Sequence, residues 1–104
     1  DQGAANSSQL RDHLQRFETA LTGLSQAYRD AAAALGIGPK DALDGLLRAL
    51  DADAGFTQSA LRMVLAQPGI SSQMIDNINA SIHVRALLTD VFVIDEILRG
   101  SQRA

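Results

Sequence analysis

Cysteine is absent from this chain of 104 residues, and tryptophan with it. No disulfide, cysteine-based zinc site or thiol nucleophile is therefore available, and cysteine usage says nothing about redox compartment. Glutamate is scarce, with only Glu18 and Glu96, and the histidines are His13 and His83 alone. Di-iron helical proteins take their ligands from Glu-x-x-His pairs on facing helices. Neither histidine here follows a glutamate at that spacing, so both are read as surface or boundary residues. Neither a GxGxxG nor a Walker A pattern occurs, which leaves no phosphate-cradling loop. No metal or other cofactor is expected. No convergent set of polar side chains stands out, and an enzyme is not expected. Long apolar runs are missing as well: none approaches the roughly 20 residues a helix needs to cross a bilayer. Excess positive charge is also missing. The net charge of −3 argues against a nucleic-acid or anionic-membrane partner.

What the chain does contain is alanine and leucine, both strong helix formers. Apolar residues make up 46% and charged residues 20%, a composition that folds rather than remaining a solvated polyelectrolyte. Residues 1 to 7 are small and polar and are read as a disordered tail. Residues 8 to 104 are then one helical domain, soluble, with the cytoplasm the favoured compartment. Its strongest periodicity is Leu10, Leu14, Phe17, Leu21, Leu24, Tyr28, Ala31 and Leu35, at alternating steps of four and three. That spacing predicts one helix over about 8 to 35 with a heptad seam. Gly36 is placed to end it in a left-handed conformation, with Ile37 as the apolar contact beyond the cap.

Pro39 suits the first turn of a second, short helix over about 40 to 51. Its apolar stripe is Leu43, Leu46, Leu47 and Leu50, and Asp44 and Arg48 form an i,i+4 pair. Thr57 is an N-cap candidate for a third helix, with Phe56 and Leu61 as a hydrophobic staple. Gln67-Pro68-Gly69 stops that helix. Ser71 is a candidate cap for a fourth over about 72 to 99, with Ile70 and Ile75 as a second staple. Its apolar positions slip phase between Ile82 and Leu87. Beyond the slip, VRALLTDVFVIDEIL is apolar around most of its circumference, as in a helix buried on more than one side. Asp95 falls in that apolar arc and is expected to be partly buried, with Arg99 one turn on, Arg85 or an arginine of a partner as its candidate ion-pair partner.

The stretch LDADAGFTQSALRMVL, from Leu50 to Leu65, invites a calcium reading. An EF-hand loop begun at Asp51 would need an oxygen ligand at its fifth position and a glutamate at its twelfth. Those positions hold Gly55 and Arg62. A different comparison takes in residues 36 to 78. There GIGP precedes a helix containing LLRAL, FTQSAL opens the next, and ISSQMI opens a third. The order resembles the helix-turn-helix region of MarR-type winged regulators. That resemblance implies a positioning helix from Thr57 to Leu65 and a reading helix from Ser71 to Asn79. Thr57, Gln58, Ser72, Gln73 and Asn77 would then face DNA, and the long first helix would build a dimer. The sequence departs from the pattern in three ways. Ala66-Gln67-Pro68 lengthens the turn between the two helices. The reading helix has no cation before Arg85, although phosphate contacts need cations. No hairpin wing follows.

The expected fold is all-α: a four-helix, bundle-like single domain in the order long, short, short, long. Two outer helices of roughly 42 Å each fit only as an elongated hairpin, and two short helices do not cover both seams. The expected function is a non-enzymatic helical protein–protein interaction or oligomerisation module, with a homodimer or another helical protein as partner. The residues expected to carry the contact are Leu14, Leu21, Tyr28, Val91, Phe92 and Asp95. A wingless helix-turn-helix regulator is the alternative.

Overall fold

The computed structural model describes the backbone of residues 2 to 103 and the side chains of residues 8 to 102. The tail expected over residues 1 to 7 lies outside the residues described at side-chain level. Among the described residues there are five helices: α1 (Gln2–Leu21), α2 (Leu24–Leu35), α3 (Lys40–Leu65), α4 (Ser72–Ala80) and α5 (Ile82–Arg103). The all-α class holds. The expected count of four does not, and the order runs long, short, long, short, long.

Three junctions account for the difference. The first predicted helix is two, because Gly23 takes a left-handed conformation at φ 80. Thr22 has already tightened the end of α1 by bonding the Thr19 carbonyl at 3.0 Å. The heptad seam continues past the break, so apolar spacing alone does not reveal it. At residue 36 the outcome agrees with expectation. Gly36 is left-handed at φ 67, its N–H donates to Ala33 O, and Ile37 N–H donates to Ala32 O at 2.9 Å. This is the double bond pattern of a Schellman cap.

The second and third predicted helices are one. α3 runs through Asp51 to Thr57 without a break, a rod of about 39 Å for its 26 residues. The reason lies in its buried stripe. Leu43, Leu47, Leu50, Ala54, Thr57, Leu61 and Val64 recur at steps of four and three. Ala54 and Thr57, weak apolar signals in a sequence, carry the stripe across the supposed turn. Both are buried, and Thr57 is sealed at 0% exposure. Thr57 is therefore not an N-cap; its hydroxyl donates to the Asp53 carbonyl at 2.9 Å. Phe56 and Leu61 accordingly lie in the middle of a helix and staple nothing. Residues 51 to 62 are helical throughout, so no cation loop exists there. Asp44 pairs with Arg29 of α2 at 3.2 Å rather than with Arg48.

The last predicted helix is also two. Ser71 caps α4, accepting from Met74 N–H at 3.1 Å, with Ile70 and Ile75 both packed on the core. Ser81, at φ −60 and ψ 136, then leaves helical space and starts α5. The phase slip after Ile82 marks this break, and Ile82 itself is exposed rather than buried.

α3 is the central element. α1, α2 and α5 all pack on it, and α4 closes against α3 and α5. Cross-contacts set the directions. Arg11 donates to the Leu65 and Gln67 carbonyls at 2.9 and 2.6 Å. Gln58 reaches Thr22 at 2.9 Å, and Arg29 reaches Asp44. α1 and α2 thus form a kinked rod antiparallel to α3. Glu18 is buried on α1 and receives Arg62 at 2.8 Å, which gives its carboxylate the partner that burial demands. The core joins Leu14, Leu21, Leu47, Leu50, Leu61, Leu87 and Ile94. The molecule measures 53 × 21 × 18 Å with a radius of gyration of 16.4 Å. A compact chain of this length would have about 13 Å, so the expected elongation is present.

Candidate interaction surface

The residues expected to form a contact surface are divided by the fold. Leu14 and Leu21 are core residues, at 9% and 7% exposure. The seam of the first helix is filled by α3 within the same chain, so these two are corrected from contact to core residues. Tyr28, Val91 and Asp95 gather instead where α2 meets α5. Val91 packs on the core. Burial, and then the charge of Asp95, push the Tyr28 hydroxyl above its ordinary value near 10, which places the two side chains close together. Asp95 accepts from Arg99 Nε at 2.7 Å, the one-turn pair foreseen from the sequence.

Phe92 points away from all of this and is 66% exposed. The geometry of α5 explains why. At about 100° per residue, Val84, Leu87, Val91, Ile94 and Leu98 share one face, and that face meets α3 and α2. Leu88 and Phe92 lie on one flank of the remaining surface, Val93 and Ile97 on the other, all four exposed. Arg85, Thr89 and Glu96 form the polar strip between the flanks. Leu88, Phe92, Asp95 and Arg99 follow one another at steps of four, three and four. They make a helix seam in which the only charges already pair within the chain.

The Val93–Ile97 flank opens onto an apolar groove that the sequence reading missed. It has a volume of about 150 Å³ and lies between the α2–α3 turn and the end of α5. Ile37, Pro39, Leu43, Leu46, Ile97 and Leu98 line it. The surplus of apolar residues around α5 was the signal available in the sequence. The positions from α3 were hidden because they read as an ordinary buried stripe. A second, polar groove lies at the α1–α2 kink, with Thr22, Gln26, Arg29, Asp51 and Arg62 on its walls. Its arginines are already engaged by Asp44 and Glu18.

The residues named for a DNA-reading surface are scattered. Thr57 is sealed inside the molecule and is removed from any such surface. Gln58 is partly buried and bonded to the Glu18 carbonyl and Thr22. Ser72, Gln73 and Asn77 are exposed on α4, a nine-residue helix without a cation.

Among the described residues no group of three or more histidines and acids is placed to hold a metal ion. No described helix is long and apolar enough to cross a membrane. No protein-family profile, curated protein or solved structure matches this chain.

Proposed function

We propose that the chain is a helical protein–protein interaction module whose contact surface is the outer face of α5, and that its first partner is a second copy of itself. The observation that carries this reading is the exposure of Phe92 beside Leu88 on a helix whose opposite face is fully occupied. An aromatic side chain held in water on a rigid helix is the kind of anchor that dominates helix–helix contacts. The neighbouring Asp95–Arg99 pair supports the same reading. It lets the seam be covered without stranding a charge, since each ion keeps its partner.

The test is sedimentation velocity across a range of protein concentrations, on wild type and on Phe92→Ser. Wild type is expected to associate as concentration rises, and Phe92→Ser to remain a monomer of unchanged thermal stability. Loss of a central aromatic anchor costs about 2 kcal/mol or more, which is roughly a 30-fold weaker association. A wild type that stays monomeric, or a Phe92→Ser variant that associates equally well, overturns self-association through this face.

A further inference from the structure

Asp53 stands in the second half of α3 and Asp90 near the middle of α5, and their carboxyl groups come within hydrogen-bond reach where the two helices pack. His83 precedes Asp90 by seven residues, two helical turns, and so shares its face of α5. Its Nδ1 lies 4.0 Å from Asp53 Oδ1. Phe56, one turn beyond Asp53 on α3, stacks on the His83 ring with 3.9 Å between centroids. Asp90 Oδ2 is shut off from solvent and meets no donor.

Two ionised carboxylates offer each other only acceptors; a hydrogen bond between them requires one proton. We propose that Asp53 and Asp90 share a proton across the α3–α5 interface, and that this proton is a pH-sensitive latch holding the two helices together. The surroundings leave the proton as the available counter-charge. Among the described residues no arginine or lysine forms an ion pair with either carboxyl. Asp51, two residues from Asp53, lines the polar groove beside Gln26 and Arg29, on the α2 side. From α2, Tyr28 lies by Asp95 and Arg29 is held by Asp44. The only ionisable group of α4 is Asp76, which is exposed. Arg85 projects from the outer side of α5. Among the described residues His83 is thus the one basic side chain within ion-pair distance of either carboxyl. Neither Asp53 nor Asp90 lines either of the two grooves described above; the pair lies where α3 packs on α5.

Burial, followed by the hydrogen bond and charge of Asp53, pushes Asp90 up to about 6. An aspartate in an unfolded chain titrates at about 4. Between those two values the folded chain holds a proton that the unfolded chain has released. The latch is therefore fully closed below about pH 4, and its contribution is lost as pH rises through about 6. This is opposite in sign to the behaviour of a salt-bridged aspartate.

Carboxyl-carbon NMR shifts of aspartate-labelled protein, followed from acid to neutral pH, read the latch directly. One aspartate should titrate near pH 6 in wild type. That midpoint should disappear in Asp90→Asn, and in Asp53→Asn it should fall part of the way towards the ordinary value, because burial persists while the charge of Asp53 is lost and the new amide can donate to Asp90. Asp76→Asn should leave it in place. Urea unfolding gives a second reading: the stability of Asp90→Asn relative to wild type should rise between about pH 4 and 6 and then level off. If no wild-type aspartate titrates above about pH 5, the latch does not exist. A relative stability of Asp90→Asn that ignores pH overturns it too. Should either variant fail to fold, the wild-type titration alone decides.

Discussion

Replacing Gly55 with alanine tests the continuity of α3. In the structure Gly55 is a helix-interior residue, and a Cβ there would meet nothing within 4 Å. The same is true of Gly45, ten residues earlier on the same helix. Glycine inside a helix costs about 0.8 to 1 kcal/mol relative to alanine, because more backbone freedom is lost on folding. Each substitution should therefore stabilise the chain by roughly 1 kcal/mol. The two sites are about 15 Å apart along the axis, so the effects should add to roughly 2 kcal/mol. For a chain of this size that raises the melting temperature by roughly 8 to 16 °C. Gly23→Ala and Gly36→Ala supply the contrast. Neither would clash, but both residues have positive φ, where alanine costs about 1 to 2 kcal/mol. Thermal unfolding followed by circular dichroism separates the signs. If Gly45→Ala stabilises while Gly55→Ala destabilises, residue 55 sits in a turn and α3 is two helices after all.

Two further results are expected. Leu61 is fully buried, and Leu61→Ala should cost about 2 to 5 kcal/mol in urea unfolding; a loss under about 1 kcal/mol would place it outside the core. Tyr28 is the sole tyrosine, so ultraviolet absorbance titrates it alone. Its midpoint should lie above 10 in wild type and move part of the way back in Asp95→Asn, since burial is the larger cause and Asp95 the smaller; no response to Asp95→Asn would separate the two side chains.

Much of the fold was legible because apolar spacing and caps act locally. Gly36, Ser71 and the Gln67-Pro68-Gly69 stop needed only their immediate neighbours to act. What the sequence hid depended on distant partners. Ala54 and Thr57 reveal themselves as core only because α5 and α1 approach α3 closely there, where a small side chain suffices. The letters DADAGFT then look like a turn to propensity and like a helix to packing, and packing prevails. Gly23 shows the reverse case. A seam that runs unbroken in sequence is bent by one residue able to take a positive φ. The contact surface was half legible. Phe92 and Asp95 could be found from the arc of α5, whereas Leu14 and Leu21 belong to an equally regular seam that the chain fills by itself. Periodicity says that a face will be covered; it does not say by what.

The same asymmetry explains why α5, and not α1, carries the proposed contact. α3 is flanked along its length, by α1 on its second half and α2 on its first. The apolar face of α1 finds one long partner and ends there, and Glu18, Gln15 and Arg62 finish its edge with polar contacts. α5 has apolar residues around most of its circumference, and among the described residues α3, α2 and the short α4 are the elements that pack closely on it. Its inner face consumes Val84, Leu87 and Ile94. Leu88, Phe92, Val93 and Ile97 remain exposed, more than one turn's worth on each flank, and none of the described elements covers them. An apolar surface left in water on a rigid helix costs solvation energy at every position, and a soluble helix normally avoids it by placing charges there. Here the charges are confined to a narrow strip and to one pair closed on itself. That arrangement fits a helix shaped for a second surface better than one shaped for water.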